Sequence, residues 1–312
     1  MATLVRPNHE DHAVQQIKLS ENFRAVFYAP FYATLALGLF AREGVDVQLI
    51  DSSTPGSATT GLLDGSIDVT WGGPMRVMKS RDEPNGPDLV CFCDVVRRDP
   101  FYLLARPKTS AAGSPPFALA DLARLKLGSV SEVPTPWLCL QHDLREIGID
   151  PAKVNRVANR TMAENLAGLA RGDIDVAQMF EPFASQAVAS GAGVIVHAAS
   201  GRGPTAYTTF LATRESVARN KAAFAAMTRA VSHMQAWLGA HSMDELASVV
   251  AAYFGHVPRA DLVAAFTRYK AAGLWADTTP VSRAGFDRLA QSLASGGFIK
   301  RVPTYEDCVV EL

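Results

Sequence analysis

The feature that most constrains the fold is a pattern that occurs twice. Leu62-Leu63-Asp64-Gly65-Ser66-Ile67-Asp68-Val69 is matched later by Leu169-Ala170-Arg171-Gly172-Asp173-Ile174-Asp175-Val176. Upstream of each lies a second match, Arg42-Glu43-Gly44-Val45-Asp46 and Arg145-Glu146-Ile147-Gly148-Ile149-Asp150. Two matches in the same order argue for two similarly built units. In the first, the spacing predicts a helix over 31–42, a strand over 45–50, a short helix over 58–63 and a strand over 67–71. In the second it predicts a strand over 127–130, a helix over 137–147, a strand over 154–157, a helix over 163–170 and a strand over 174–179. Strands alternating with helices give mainly parallel sheets covered by helices, with right-handed crossovers. Ligands on such sheets bind beyond the carboxyl ends of the strands. Two of them facing each other would share a cleft.

From residue 220 onward the pattern turns helical. Phe224, Met227, Val231, Met234 and Leu238 recur at three- and four-residue steps, and 243–254, 259–272 and 282–295 continue the series. The expected role of this region is to buttress a lobe. A chain of 312 residues has room for two lobes. Its net charge of −1 is scattered, which offers nucleic acid no basic footprint and a membrane no polybasic patch. Four cysteines, irregularly spaced, make neither a disulfide framework nor a zinc site. Strand alternation would put Cys91 and Cys93 on one face of a core strand. Neither a phosphate-binding glycine motif nor a metal-ligand Cys/His spacing is present, so neither a cofactor nor a metal is expected. The opening MATLVRPNHEDHAVQQ lacks an apolar signal core, and no later stretch is apolar enough to insert into a bilayer. The expected location is periplasmic if an export signal was removed, and cytoplasmic if the chain is complete as written.

The order of these segments resembles a known superfamily. "ATLALGLFAREGVDVQLI", "LLDGSIDVTWGG", "DLARLKLGSV", "LREIGIDPAKV", "LARGDIDVAQMFEP" and the closing "GGFIKRVPTYEDCV" are similar to the ABC-transporter substrate-binding proteins for thiamine pyrimidines, aliphatic sulfonates and nitrate. The resemblance covers nearly the whole chain from about residue 17. It implies a two-lobed type II periplasmic-binding-protein fold, with residues 1–103 and 209–312 as the first lobe and 104–208 as the second. Hinge crossings would fall near 101–104 and 207–210, and the lobes would close on a ligand. It also implies a small-molecule ligand and a transporter permease as partners.

Carried over position by position, the resemblance marks an aromatic turn of Phe27, Tyr28, Phe31 and Tyr32, able to stack on a flat ring. It marks Thr54, Gly56 and Ser57 at a helix start, where backbone N–H groups would suit an anion or carbonyl. Trp71 and Gly72 follow a strand, and Ser131, Thr135 and Trp137 supply hydroxyls and a ring from the second lobe. Tyr207 lies at the second crossing. Glu181, before Pro182, would accept from an amino or ring N–H group, and Arg97 or Arg98 could clamp a carboxylate or sulfonate. The expected ligand is a ring compound resembling a pyrimidine or thiamine precursor, ahead of a sulfonate or nitrate.

The alternative is an enzyme on the same fold: a pyrimidine synthase, decarboxylase or desulfinase. The synthases carry a lysine and histidine after the strand at 67–71, where this chain has Gly72-Gly73-Pro74-Met75-Arg76-Val77-Met78. Their cysteine-rich tract is absent, and so is a desulfinase cysteine near the aromatic turn. Nucleophilic catalysis needs a nucleophile with a base in reach, and no histidine falls on a strand-end loop beside a serine or cysteine. Binding is the favoured reading.

Overall fold

The computed structural model describes residues 15–52, 57–107 and 116–312. Its strands are β1 (Gln15–Ser20), β2 (Val45–Ile50), β3 (Val69–Gly72), β4 (Leu89–Val96), β5 (Tyr102–Ala105), β6 (Leu127–Val130), β7 (Arg156–Arg160), β8 (Val176–Met179), β9 (Val194–Ala198) and β10 (Thr208–Thr213). They form two five-stranded sheets, ordered β2-β1-β3-β10-β4 and β7-β6-β8-β5-β9. The two orders are the same topology written twice, which is the structural content of the sequence echo. Four strands of each sheet run one way. The fifth, β10 in one sheet and β5 in the other, runs antiparallel because it enters from the opposite lobe.

The echoed residues do the same work in both halves. Gly65 and Gly172 turn the chain at φ +76 and +83, a left-handed conformation that a Cβ disfavours. Ile67 and Ile174 are buried just beyond. The following aspartates then tie the central strand of each sheet, β3 or β8, to its neighbour, β1 or β6. Asp68 accepts from the backbone N–H of Lys18 at 2.9 Å, and Asp175 from that of Lys126 at 3.0 Å.

The expected helix over 31–42 is interrupted, running as Ala29–Ala36 and then Leu39–Arg42. Cys91 and Cys93 do not share a face. Phe210 opposes Phe92 while Thr209 opposes Asp94, so Cys93 is the extra residue of a bulge at φ +59. Cys91 packs with Leu89 in one core, and Cys93 with Val90 and Phe92 in another. All four thiols are free and buried, and burial pushes Cys139 up to about 12 and Cys308 up to about 11. Such thiols are poor nucleophiles.

The chain leaves the first sheet after Val96 and returns to it at Thr208. Arg202, in the second crossing, donates to Asp99 in the first at 2.5 Å, and its Nε donates to Asp143 on the helix Thr135–Glu146 at 3.1 Å. The C-terminal helices touch both lobes. Helix Arg283–Ser295 places Leu289 and Leu293 in one core with Leu138 and Cys139, and Arg268 of helix Arg259–Ala271 reaches Glu181. Among the described residues, no helix is long and apolar enough to cross a membrane.

Candidate functional site

Between the lobes lies a cavity of about 240 Å³. Loops beyond the carboxyl ends of three strands build its wall: Asn22, Phe23, Phe27 and Tyr28 after β1, Gly73, Met75 and Arg76 after β3, and Glu132, Val133, Pro134 and Thr135 after β6. Phe101 and Tyr207 close it from the two crossings. Two helices begin at this wall, Met75–Asp82 from one lobe and Thr135–Glu146 from the other. In the second, the first helical bond is from the Leu138 N–H to the Pro134 carbonyl at 3.1 Å. The Thr135 and Trp137 N–H groups precede that ladder, and a helix start of this kind favours negative charge.

Arg76 supplies the cavity's cation. Its Nη2 donates to Asn22 Oδ1 at 3.0 Å, and among the described residues no carboxylate forms an ion pair with it. Burial pulls the guanidinium pKa down, yet an arginine keeps its charge in proteins. Two phenols share the wall with it. Burial pushes Tyr28 up to about 12, against the opposing pull of Asn22 and Arg76, and Tyr207 well above its ordinary value. Both are neutral donors at physiological pH. The Tyr207 hydroxyl is buried with no hydrogen-bond partner among the described residues, an arrangement native proteins seldom leave unexplained. Opposite stands Glu132, whose carboxylate accepts from the Met162 N–H at 2.8 Å and the Ser131 N–H at 3.2 Å. Arranged this way, the wall can hold an anionic or acceptor group at Arg76 and a flat apolar body against Phe23, Phe27 and Tyr28.

The model of the NMT1-like family matches residues 16–254. The chain belongs to that family. This NMT1-like chain is 24% identical to YtlA of Bacillus subtilis (strain 168) over 264 residues, covering 84% of this chain and 77% of the relative. Its fold is similar to that of the periplasmic aliphatic sulphonate binding protein SsuA from Escherichia coli, with a TM-score of 0.74 at 17% identity, over 92% of this chain and 94% of the other. It is also similar to the periplasmic nitrate-binding protein NrtA from Synechocystis PCC 6803, with a TM-score of 0.66 at 16% identity, over 95% and 84%. The two-lobed periplasmic-binding-protein fold is thereby established.

Of the residues singled out in the NMT1-like sequence, Phe27, Tyr28, Thr135 and Tyr207 meet in the cavity wall. The others lie elsewhere. Glu181 is 0% exposed: Oε1 accepts from Arg268 Nε at 2.7 Å, and Oε2 from the Ser185 N–H and hydroxyl at 2.9 and 2.7 Å. It is an internal ion pair and takes no part in this wall. Arg97 is bound by Asp94, Asp277 and Thr278, and Arg98 by the Ser200 carbonyl. Trp71 stacks on Phe31 at 4.7 Å inside the core, and the Tyr32 hydroxyl donates to Glu21 at 2.5 Å. Gly72 packs beneath Leu211 and Arg76, leaving its neighbour Gly73 at the wall. Trp137 lies under the Arg156 guanidinium at 4.4 Å, and the Ser131 hydroxyl donates to the Arg160 carbonyl. Ser57 opens the helix Ser57–Asp64 with its hydroxyl 2.7 Å from that of Ser52, while Thr54 and Gly56 lie outside the described residues.

Sequence reasoning missed Arg76, Asn22, Phe23, Phe101 and Glu132. A local signal for Arg76 was present. A strand end, Gly-Gly-Pro and a helix start together mark a place where anions bind, and Arg76 sits in the first turn.

Proposed function

We propose that this chain binds a small anionic organic ligand between its lobes and delivers it to an ABC-type permease, working in the periplasm. The observation that carries this reading is Arg76, a largely buried guanidinium in the cleft with no carboxylate partner among the described residues. A buried charge is costly unless paired, and a ligand anion would pair it. The helix starts at Met75 and Thr135 add positive potential from both sides, and Tyr207 adds a donor. The expectation of a pyrimidine-like ligand rested on Glu181, whose carboxylate is already engaged, so the weight moves to an anion with a flat or apolar body. The sulphonate and nitrate specificities named for the structural relatives agree with that charge. Closure would bring the lobe built on the sheet of residues 102–198 towards the lobe built on the other sheet, with the segments between β4 and β5 and between β9 and β10 as hinges.

Calorimetric titration with sulfonates, carboxylates and nitrate, alongside neutral pyrimidines, tests the reading. Arg76→Gln should weaken binding of the responding anion by about 2–3 kcal/mol, roughly 30- to 150-fold. Tight binding of a neutral pyrimidine that survives this substitution would refute the anion reading.

A further inference from the structure

A second cavity, of about 390 Å³, lies directly behind the first. Val26, Met162, Phe180, Phe183, Phe254 and Val257 give it apolar walls from both lobes. Phe23, Glu132 and Val133 line both cavities, so one layer of side chains separates them. The Phe23 ring stacks on Phe180 across the cleft with centroids 6.4 Å apart, and Phe27 meets Phe180 edge-on at 5.1 Å. The partition is therefore two aromatic rings from one lobe resting on one ring from the other. A side chain that spans lobes in this manner has to shift when they move.

We infer that the two cavities are one bipartite site for an arylalkyl anion: the charged head sits at Arg76, and an uncharged aromatic tail passes Phe23 into the chamber lined by Phe180, Phe183 and Phe254. The inference rests on the anion reading above and adds the class of tail. Three observations favour an aromatic tail. The chamber's rings can take a flat body edge-on or offset, the arrangement aromatic pairs prefer. Its volume, added to that of the first cavity, falls in the range of a site for a small organic molecule. The charges around it are also already matched: Glu181 by Arg268 and Ser185, and Arg24 by Glu21 and Asp51. At the passage itself stands the Glu132 carboxylate, held by two backbone N–H groups. A second negative charge on the tail would have to pass it, so Glu132 selects against dianions.

The test is calorimetric titration of the full chain with acetate, benzoate, phenylacetate, 4-phenylbutanoate, 6-phenylhexanoate and the matching sulfonates, together with nonanedioate as a dianion. Affinity should rise by about threefold to fourfold for each methylene that carries the ring deeper. It should rise more steeply where the ring first enters the chamber, and nonanedioate should gain nothing. Val257→Trp and, independently, Met162→Trp should fill the chamber, abolish the gain for the long members and leave the short ones unchanged. Retained binding of the short anions shows that each variant is folded. Affinity independent of tail length, with Arg76→Gln still weakening binding as above, overturns the bipartite site and leaves the anion reading intact. No binding by any member overturns both. A length dependence that survives both tryptophan variants places the tail elsewhere and refutes the chamber.

Discussion

Two arginines within a few residues of the cleft are treated oppositely. Arg202, at the hinge, is 7% exposed and meets two carboxylates, Asp99 and Asp143. Arg76, in the wall, donates to the amide oxygen of Asn22, and among the described residues it forms no ion pair. The difference separates structure from function by charge balance alone. Where the chain supplies its own anions, the guanidinium fastens elements together, here both crossings and the helix that presents Thr135. Where the described residues supply none, the function proposed above assigns the guanidinium to something that arrives from outside.

That contrast can be broken by experiment. The largest effect should come from Arg202→Met, which leaves the fully buried Asp99 without its partner. Stability in urea should fall by about 3–5 kcal/mol. Loss of less than 1 kcal/mol would mean the hinge cluster is not fastened as described. Arg76→Gln comes next and should act in the other direction. Unliganded stability should change by less than about 1 kcal/mol or rise, while ligand affinity drops. If unliganded stability fell as far as for Arg202→Met, the two arginines would be alike and the contrast would be lost. Glu181→Gln sharpens the point from the carboxylate side. It weakens an internal pair whose arginine is one-third exposed, so stability should fall by about 1–2 kcal/mol, with ligand affinity altered less than about twofold.

The smallest effect concerns pH. Burial raises the Asp94 carboxyl to about 6, against the pull of Arg97. Its folded-state pKa lies above the unfolded one, so the folded state holds the proton more tightly. That stabilisation is full below about pH 4 and is lost as pH rises through about 6. Asp94→Asn should flatten the Tm profile over that interval by on the order of 2 °C. An unchanged profile would show that Arg97 fully offsets the burial.

The fold was legible because its signals are local and repeated. The echo around Gly65 and Gly172 encodes the turn, the buried isoleucine and the aspartate that ties the central strand to its neighbour, each within a few residues. A smaller part of the candidate site was legible for the same reason: Phe27, Tyr28 and Thr135 follow strand ends. Glu181 misled because its partner Arg268 lies 87 residues away, and no local pattern distinguishes an acid awaiting a ligand from one already paired. Trp71 misled because strand position alone does not say which face the helix Ala29–Ala36 will cover. The contrast between Cys91 and Cys93 turned on a bulge, which depends on the register of β10 against β4.

The exchange of crossing strands also sets an order of assembly. Every strand of the second sheet comes from residues 102–198, a continuous run. The first sheet has a gap in its middle until β10 arrives to separate β3 from β4. Synthesis releases the chain from its N-terminus, so the half begun first is the half completed last. A nascent chain made as far as about residue 200 would hold one finished sheet and one divided sheet with its inner edges unpaired.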